Sequence, residues 1–152
     1  MRIKVFLAAV WTFSVTFNFA QSATDSIKMV IDEMFTGMKE GDTLKVKSCF
    51  SETAFMQTFS RSKDGVVDIT TQNASDFCKA IASMPRGAAE EKVVYKDINV
   101  DGAMASVWAP FKLYFNGNFY SCGVNSIQMA RLNGQWKIQY IIDTRRNDNC
   151  IE

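Results

Sequence analysis

Asp143 is the residue of this sequence whose type and position best fit acid–base chemistry. It ends the last predicted strand, three residues after Tyr140 and two before Arg145. Strict strand alternation points Asp143 outward, whereas a bulge at the doublet 141–142 would turn it inward. An inward carboxyl in an apolar pocket has a raised pKa and can act as a general base, with Tyr140 as the acid. A surface ion pair with Arg145 is the alternative interpretation.

A second set of residues could orient a ligand without reacting with it. On the predicted register Ser121, Asn125 and Tyr140 face the interior, and a buried amide such as that of Asn125 must be hydrogen-bonded. Mostly apolar pockets hold ligands through a few such polar groups, and we expect Phe111 and Trp136 to supply apolar contacts. The alternatives are a structural bond from Asn125 to a helix end and a core position for Tyr140.

Other kinds of chemistry are excluded or have no support in the sequence. The chain contains no histidine, which removes Ser-His-Asp and Cys-His mechanisms and histidine metal clusters. It has no Gly-rich phosphate loop, nucleophile elbow or metal-spaced carboxylate pair, so we expect no cofactor and no metal. A mechanism with two carboxylates needs a second inward acid. The strand candidates are Asp97, which points outward, and Asp68, whose register the sequence leaves open.

The first 20 residues have the features of a secretory signal peptide. A positively charged start and a mostly apolar, uncharged stretch over 5–15 lead to Ala20, after which we expect cleavage. Cleavage after Ala23 and an uncleaved anchor are the alternatives. We therefore predict an exported protein, periplasmic or secreted, in which 21–152 forms a single domain that is free of the membrane after cleavage.

Export changes how the charges and the cysteines are interpreted. Removing the signal takes two of the 17 basic residues and leaves 15 against 16 acidic ones, so the mature net charge is about −1. No basic field for nucleic acid remains. Export permits disulfides, and Cys49, Cys78, Cys122 and Cys150 allow three pairings. Cys150 is the favoured partner in one disulfide, while buried free cysteines are the alternative.

The elements that must position these residues begin with helices. An apolar stripe over 27–38 follows helical spacing and predicts an amphipathic helix that packs on the core. Thr24 or Asp25 can cap it, and it ends near Gly41. Asp42 can cap a short second helix.

Strands then dominate the chain. A strand pair at 54–60 and 66–70 precedes a third helix, which Asn73 or Ser75 can cap. Three turn signals rich in Asn, Asp and Gly divide the rest into consecutive antiparallel strands. These predicted strands are 92–100, 103–115, 119–132 and 135–144.

The turns decide which side chains share a face of the sheet. A three-residue loop at 116–118 is preferred to a two-residue turn, because only the longer loop lets the apolar faces of neighbouring hairpins agree. The predicted cross-strand pairs are Ile98 with Ala105, Phe115 with Phe119, Val107 with Ile127, Met129 with Ile138, and Ile127 with Tyr140.

One face of this sheet is predicted to carry helices and the other to meet water, which is typical of α+β domains. The outer face is mostly polar, with Trp108, Tyr114, Tyr120 and Val124 as exceptions. Aromatic residues there favour a homodimer through the outer sheet face, and a scatter of surface residues is the alternative.

Five blocks of the mature chain carry a family resemblance. They are FTGMKEGD at 35–42, VDG at 100–102 with ASVWAP at 105–110, CGVN at 122–125, WKI at 136–138 and IDTRR at 142–146. With the order of elements, they resemble the nuclear transport factor 2-like superfamily, and in particular its exported Bacteroidota family called putative lumazine-binding. Ser121 stands where the family pattern has a histidine.

That resemblance implies a cone-shaped, strongly curved antiparallel sheet wrapped around the N-terminal helices, a fold also described as cystatin-like. The fold carries dehydratases, isomerases and pure binding modules, so it does not define a function. We expect an exported, non-catalytic domain that binds a small apolar or aromatic molecule on the concave sheet face. The alternatives are an isomerase or dehydratase that uses Asp143 and Tyr140, and a dimeric protein-interaction domain.

Overall fold

The computed structural model of the chain describes residues 22–62 and 64–151. The predicted signal peptide, 1–20, lies outside the described residues, so cleavage and export stay predictions. None of the described helices is long and apolar enough to cross a membrane.

Three helices form where an apolar stripe follows a capping residue. They are α1 (Ala23–Glu40), α2 (Thr43–Cys49) and α3 (Ala74–Ala82). Asp42 caps α2 and Asn73 caps α3, as predicted, by accepting a backbone N–H of the first turn. Ser22 caps α1 in place of the predicted Thr24 or Asp25, because its hydroxyl oxygen accepts the Asp25 N–H.

Seven strands of the described residues form one sheet. They are β1 (Phe50–Arg61), β2 (Val67–Asn73), β3 (Ala89–Val93), β4 (Asp97–Asp101), β5 (Met104–Phe115), β6 (Asn118–Leu132) and β7 (Gln135–Arg146). The order across the sheet is β2-β1-β7-β6-β5-β3, and β4 pairs with β5 beside β3. β1 pairs with β7 in parallel, so the sheet is mixed, while the other pairings are antiparallel as predicted.

The core lies between the helices and one face of the sheet. Ile27 and Ile31 of α1 are fully buried in the same cluster as Val107, Ile127 and Ile138 of the sheet. Burying such a side chain contributes about 1.5–3 kcal/mol to folding. The predicted α+β class, with N-terminal helices packed on a large sheet, is confirmed.

The predicted strand 92–100 is two strands, and its hairpin register is shifted. β3 begins at Ala89, three residues earlier than predicted, and pairs with the far end of β5. β4 places Ile98 opposite Val107 instead of Ala105. Because this shift is an even number of residues, the side chains of β4 keep their predicted faces, whereas in β3 the odd-numbered Val93 faces inward opposite Phe111, against the prediction.

A bulge at Tyr120 corrects the predicted loop between β5 and β6. The turn has two residues and pairs Phe115 with Asn118, so the predicted three-residue loop is wrong. Tyr120 is the extra residue of the bulge, and beyond it Leu113 lies opposite Ser121. The predicted pairing of Val107 with Ile127 is therefore correct although the loop length is not.

A second bulge reorients the end of β7. Met129 pairs with Ile138 as predicted, but Gln128 then pairs with Tyr140, so Gln139 is the extra residue. The predicted pair of Ile127 with Tyr140 is wrong, because Ile127 lies opposite Ile141. The bulge falls two residues before the doublet considered from sequence and has the same consequence: Asp143 is inward and 6% exposed.

The C-terminal tail is tied to the sheet by a disulfide between Cys122 and Cys150. Cys150 is thus the disulfide partner that the sequence favours. The bond spans 28 residues. Closing a loop of that length stabilises the folded chain by about 3–4 kcal/mol, because it lowers the entropy of the unfolded chain. Cys49 and Cys78 are free thiols, the first buried and the second partly buried.

The four apolar exceptions predicted for the outer face do not form one patch. Trp108 is 48% exposed, but Val124 is buried. The Tyr120 bulge brings that side chain to a cavity wall. The Tyr114 ring packs edge-on against Phe119. The homodimer stays a proposal that rests mainly on Trp108.

Candidate functional site

A cavity of about 390 Å³ lies between the helices and the sheet. α1, α3 and every strand except β4 contribute to its wall. The wall is mainly apolar and includes four methionines, Met34, Met38, Met56 and Met84. Methionine is flexible and polarizable, so such a wall can adapt to a planar or irregular apolar molecule.

Asp143 lies in the cavity wall with both carboxylate oxygens bonded. The Arg145 Nε donates to Oδ2 at 2.6 Å, and the Thr58 hydroxyl donates to Oδ1. The Asp143 side chain is nearly buried, whereas half of the Arg145 side chain reaches solvent. The sequence offered an inward carboxyl group and an ion pair with Arg145 as alternatives. The structure combines them, since Asp143 faces inward and is also paired with Arg145.

Asn125 also faces the cavity, as predicted, and is 6% exposed. Its Nδ2 donates to the Oε1 of Glu91 at 2.7 Å. The partner is therefore a carboxyl group on β3 and not the helix end considered from sequence. Asn125 lies directly opposite Asp143 in the β6–β7 ladder, so the two polar groups belong to the same wall.

Glu91 is the second inward acid of this cavity. Its side chain is partly buried in the wall, and burial raises the pKa of Glu91 to about 7. The hydrogen bond that Asn125 donates lowers the pKa of Glu91. The negative charge of Asp143 raises this pKa, and the positive charge of Arg145 lowers it. The group therefore changes charge near neutral pH.

The sequence interpretation missed Glu91 because it began the strand at Lys92 and treated 92–100 as one strand, whereas the break between β3 and β4 changes which side chains face inward. The signal that could have found it is the alternation of Ala89, Glu91 and Val93, which repeats the inward period of a strand. The two acids considered instead, Asp97 and Asp68, are both exposed and lie outside the cavity.

Tyr140 is outside the cavity, and the expectation that it faces inward is wrong. The bulge at Gln139 places it on the face opposite to Ile141 and Asp143. Its hydroxyl donates to Gln57 Oε1 at 2.6 Å, and its ring stacks on Phe55 with centroids 4.7 Å apart. Burial raises the pKa of Tyr140. Asp143 and Tyr140 therefore do not reach one common substrate in this arrangement.

The remaining ligand-binding candidates, Phe111, Trp136 and Ser121, are not in the described wall of the cavity. Trp136 is buried in the core, and Phe111 is buried next to Gly123. Ser121 is 3% exposed and shares its face with Leu113, which lines the cavity. Its hydroxyl is buried and has no hydrogen-bond partner among the described residues.

A metal centre has no counterpart in the described part of the chain. No group of three or more Cys, Asp or Glu side chains there is arranged to hold a metal ion. The wall instead offers an amide, a carboxyl group that titrates near neutral pH, and an aspartate–arginine pair. Such groups can orient a ligand through hydrogen bonds.

The helices packed on one face of a large sheet, with a cavity between them, define a domain of the nuclear transport factor 2-like class. The chain belongs to the family described as "Putative lumazine-binding", whose pattern matches residues 22–140. The matched segment includes Glu91 and Asn125 and ends before Asp143. No curated protein matches the chain in sequence.

Solved structures are similar in fold. A nuclear transport factor 2-like protein of unknown function from Shewanella baltica has 16% identity and a TM-score of 0.66, over 85% of this chain and 100% of that one. A protein of unknown function with a cystatin-like fold from Nostoc punctiforme has 12% identity and a TM-score of 0.65, over 82% and 93%. At these identities the likeness concerns the fold alone.

Proposed function

We propose that the chain is an exported, non-catalytic binding protein that holds a small apolar or aromatic molecule in the cavity between its helices and its sheet. The observation that carries this proposal is the cavity itself. Its volume of about 390 Å³ falls in the range of about 300–1,000 Å³ that is usual for ligand pockets. The family description supports a small-molecule ligand.

The polar groups of the wall are distributed so that a ligand would bind in one orientation. The methionine-rich part of the wall can pack against an apolar or aromatic body. The Glu91–Asn125 pair and the Asp143–Arg145 pair converge on the same cavity. A ligand with one apolar end and one hydrogen-bonding end fits this division.

Three further features support export and self-association. The N-terminal sequence has the pattern of a signal peptide, and the Cys122–Cys150 disulfide is the kind of bond that persists in oxidising compartments. We propose a periplasmic or secreted location on these grounds. Trp108 on the outer face, 48% exposed, supports a homodimer.

Filling the cavity is expected to abolish binding of an apolar probe. Ala89 lines the cavity, so Ala89→Leu places extra apolar bulk in that space. Ala82, exposed on α3 and outside the wall, provides the matched control Ala82→Leu. The uncharged dye Nile red should bind the wild type and Ala82→Leu with enhanced fluorescence and bind Ala89→Leu at least about tenfold more weakly, a loss near 1.4 kcal/mol.

Circular dichroism spectra of the three proteins establish that each is folded before the titrations are compared. Equal dye affinity for Ala89→Leu and Ala82→Leu would place the bound dye outside the cavity. Absence of dye binding to the wild type would likewise contradict the proposed binding site.

A further inference from the structure

Glu91 and Asn125 leave specific atoms free for a ligand. The Asn125 Nδ2 uses one N–H on Glu91 Oε1. Among the described residues, no side chain bonds Glu91 Oε2 or Asn125 Oδ1, and the second N–H of Asn125 is also without a partner. The pair therefore offers both acceptors and a donor toward the cavity that it lines.

The charges of the wall favour uncharged ligands. The charged or titratable side chains that the described residues bring to this wall are Glu91 on β3, Tyr120 on β6, and Asp143 and Arg145 on β7. Among these described residues, α1, α3, β1, β2 and β5 contribute none. Arg145, the one cation that the structure describes in this wall, already pairs with Asp143 and also contacts Thr58 through Nη2 at 3.5 Å. With Glu91 ionised, the described wall carries a net charge of −1.

We propose that the cavity selects its ligand by charge, taking an uncharged aromatic amide or lactam and rejecting the matching carboxylate. A ligand N–H donates to Glu91, and the adjacent ligand carbonyl accepts the second N–H of Asn125. A carboxylate brings no donor for Glu91 and places a negative charge beside Glu91 and Asp143, where low dielectric strengthens the repulsion. This inference rests on the proposed binding function.

The selection depends on pH through Glu91. Because burial raises the pKa of Glu91 to about 7, the protonated group below that value can donate its O–H to a ligand carboxylate without repelling it. Above about pH 7 the ionised group can only accept. The affinity of a carboxylate ligand therefore falls as pH rises through 7, while an amide ligand keeps an acceptor for its N–H at both ends of the range.

Two probes of the same shape test this selection. 2-Naphthamide and 2-naphthoate share the naphthalene ring and differ in the group that it carries, an amide in the first and a carboxylate in the second. Both can be titrated into the protein at pH 6 and pH 8, with binding measured by calorimetry. We expect 2-naphthamide to bind with similar affinity at both pH values. The affinity of 2-naphthoate should fall by about tenfold from pH 6 to pH 8, as binding coupled to one proton with a pKa near 7 requires.

Two glutamine variants assign the effect to the proposed group. Glu91→Gln keeps the shape and cannot ionise, so the affinity of 2-naphthoate for it should not change between pH 6 and pH 8. Glu90→Gln removes a neighbouring charge that is paired with Lys39 outside the cavity and should retain the wild-type pH dependence. Circular dichroism checks that both variants are folded.

The outcomes separate this inference from the proposed function. If 2-naphthoate binds as tightly as 2-naphthamide at pH 8, or if Glu91→Gln retains the pH dependence, selection by Glu91 is wrong while binding in the cavity stands. If neither probe binds the wild type at either pH, the proposed function fails, and the inference fails with it.

Discussion

Replacing Glu91 with glutamine is expected to stabilise the folded chain by about 3 kcal/mol at pH 8 and to have little effect near pH 4.5. Burial raises the pKa of Glu91 from 4.5 to about 7. Between these values the folded chain binds more protons than the unfolded chain, so the wild type loses stability as pH rises and the loss is complete above about 7. Glutamine removes the buried charge and still accepts the N–H of Asn125.

Urea unfolding of the wild type, Glu91→Gln and Glu90→Gln at pH 4.5 and pH 8 measures this effect as the free energy of unfolding. Glu90 provides a control of opposite sign, because its hydrogen bond with Lys39 lowers the pKa of Glu90. Glu90→Gln should therefore lose stability at pH 8 and not gain it. If Glu91→Gln is no more stable than the wild type at pH 8, burial does not raise the pKa of Glu91 as described.

Gly123→Ala is expected to destabilise the chain by more than about 4 kcal/mol and to abolish ligand binding. A Cβ on Gly123 would lie 1.7 Å from the carbonyl oxygen of Thr144 and 2.9 Å from the ring of Phe111. The first contact is with backbone, so β6 and β7 would have to separate at the position next to the Asn125–Asp143 pair. Small-to-large changes cost more when no side chain can move aside.

The control for Gly123→Ala is Ser126→Ala, which lies on the same strand and is partly buried. That change removes one hydroxyl and adds no atom, so it should cost less than about 1 kcal/mol. Thermal unfolding monitored by circular dichroism compares the two variants with the wild type. Similar midpoints for Gly123→Ala and Ser126→Ala would contradict the close approach of β6 and β7.

Helices and faces of the sheet could be predicted because they follow from periodicity and capping. The stripe at 27–38 lies in α1, and Asp42 and Asn73 cap their helices. The pairing of Val107 with Ile127 was also predictable. Side chains alternate between the two faces of a strand, so only some registers bring the apolar side chains of neighbouring strands to the same face. These features depend on many side chains acting together, so a local error does not remove them.

The bulges and the acid in the site were harder to predict. A bulge adds one residue at a place that no apolar pattern marks. The extra residues here are Tyr120, which is aromatic, and Gln139, which is polar. The second bulge turns Asp143 inward and Tyr140 outward, so it decides which of the two candidates enters the cavity. Glu91 was missed because a predicted strand began three residues too late.

Native mass spectrometry of the protein purified from the periplasm of a bacterial host is the most direct test of the proposed ligand binding. The host expresses the full chain with its own N-terminal segment, and the native mass is compared with the mass after denaturation. If the chain binds a ligand as proposed, we expect a chain of residues 21–152 that carries an additional few hundred daltons, which denaturation removes. A folded chain with no additional mass, from wild-type protein that also fails to bind Nile red, would contradict it.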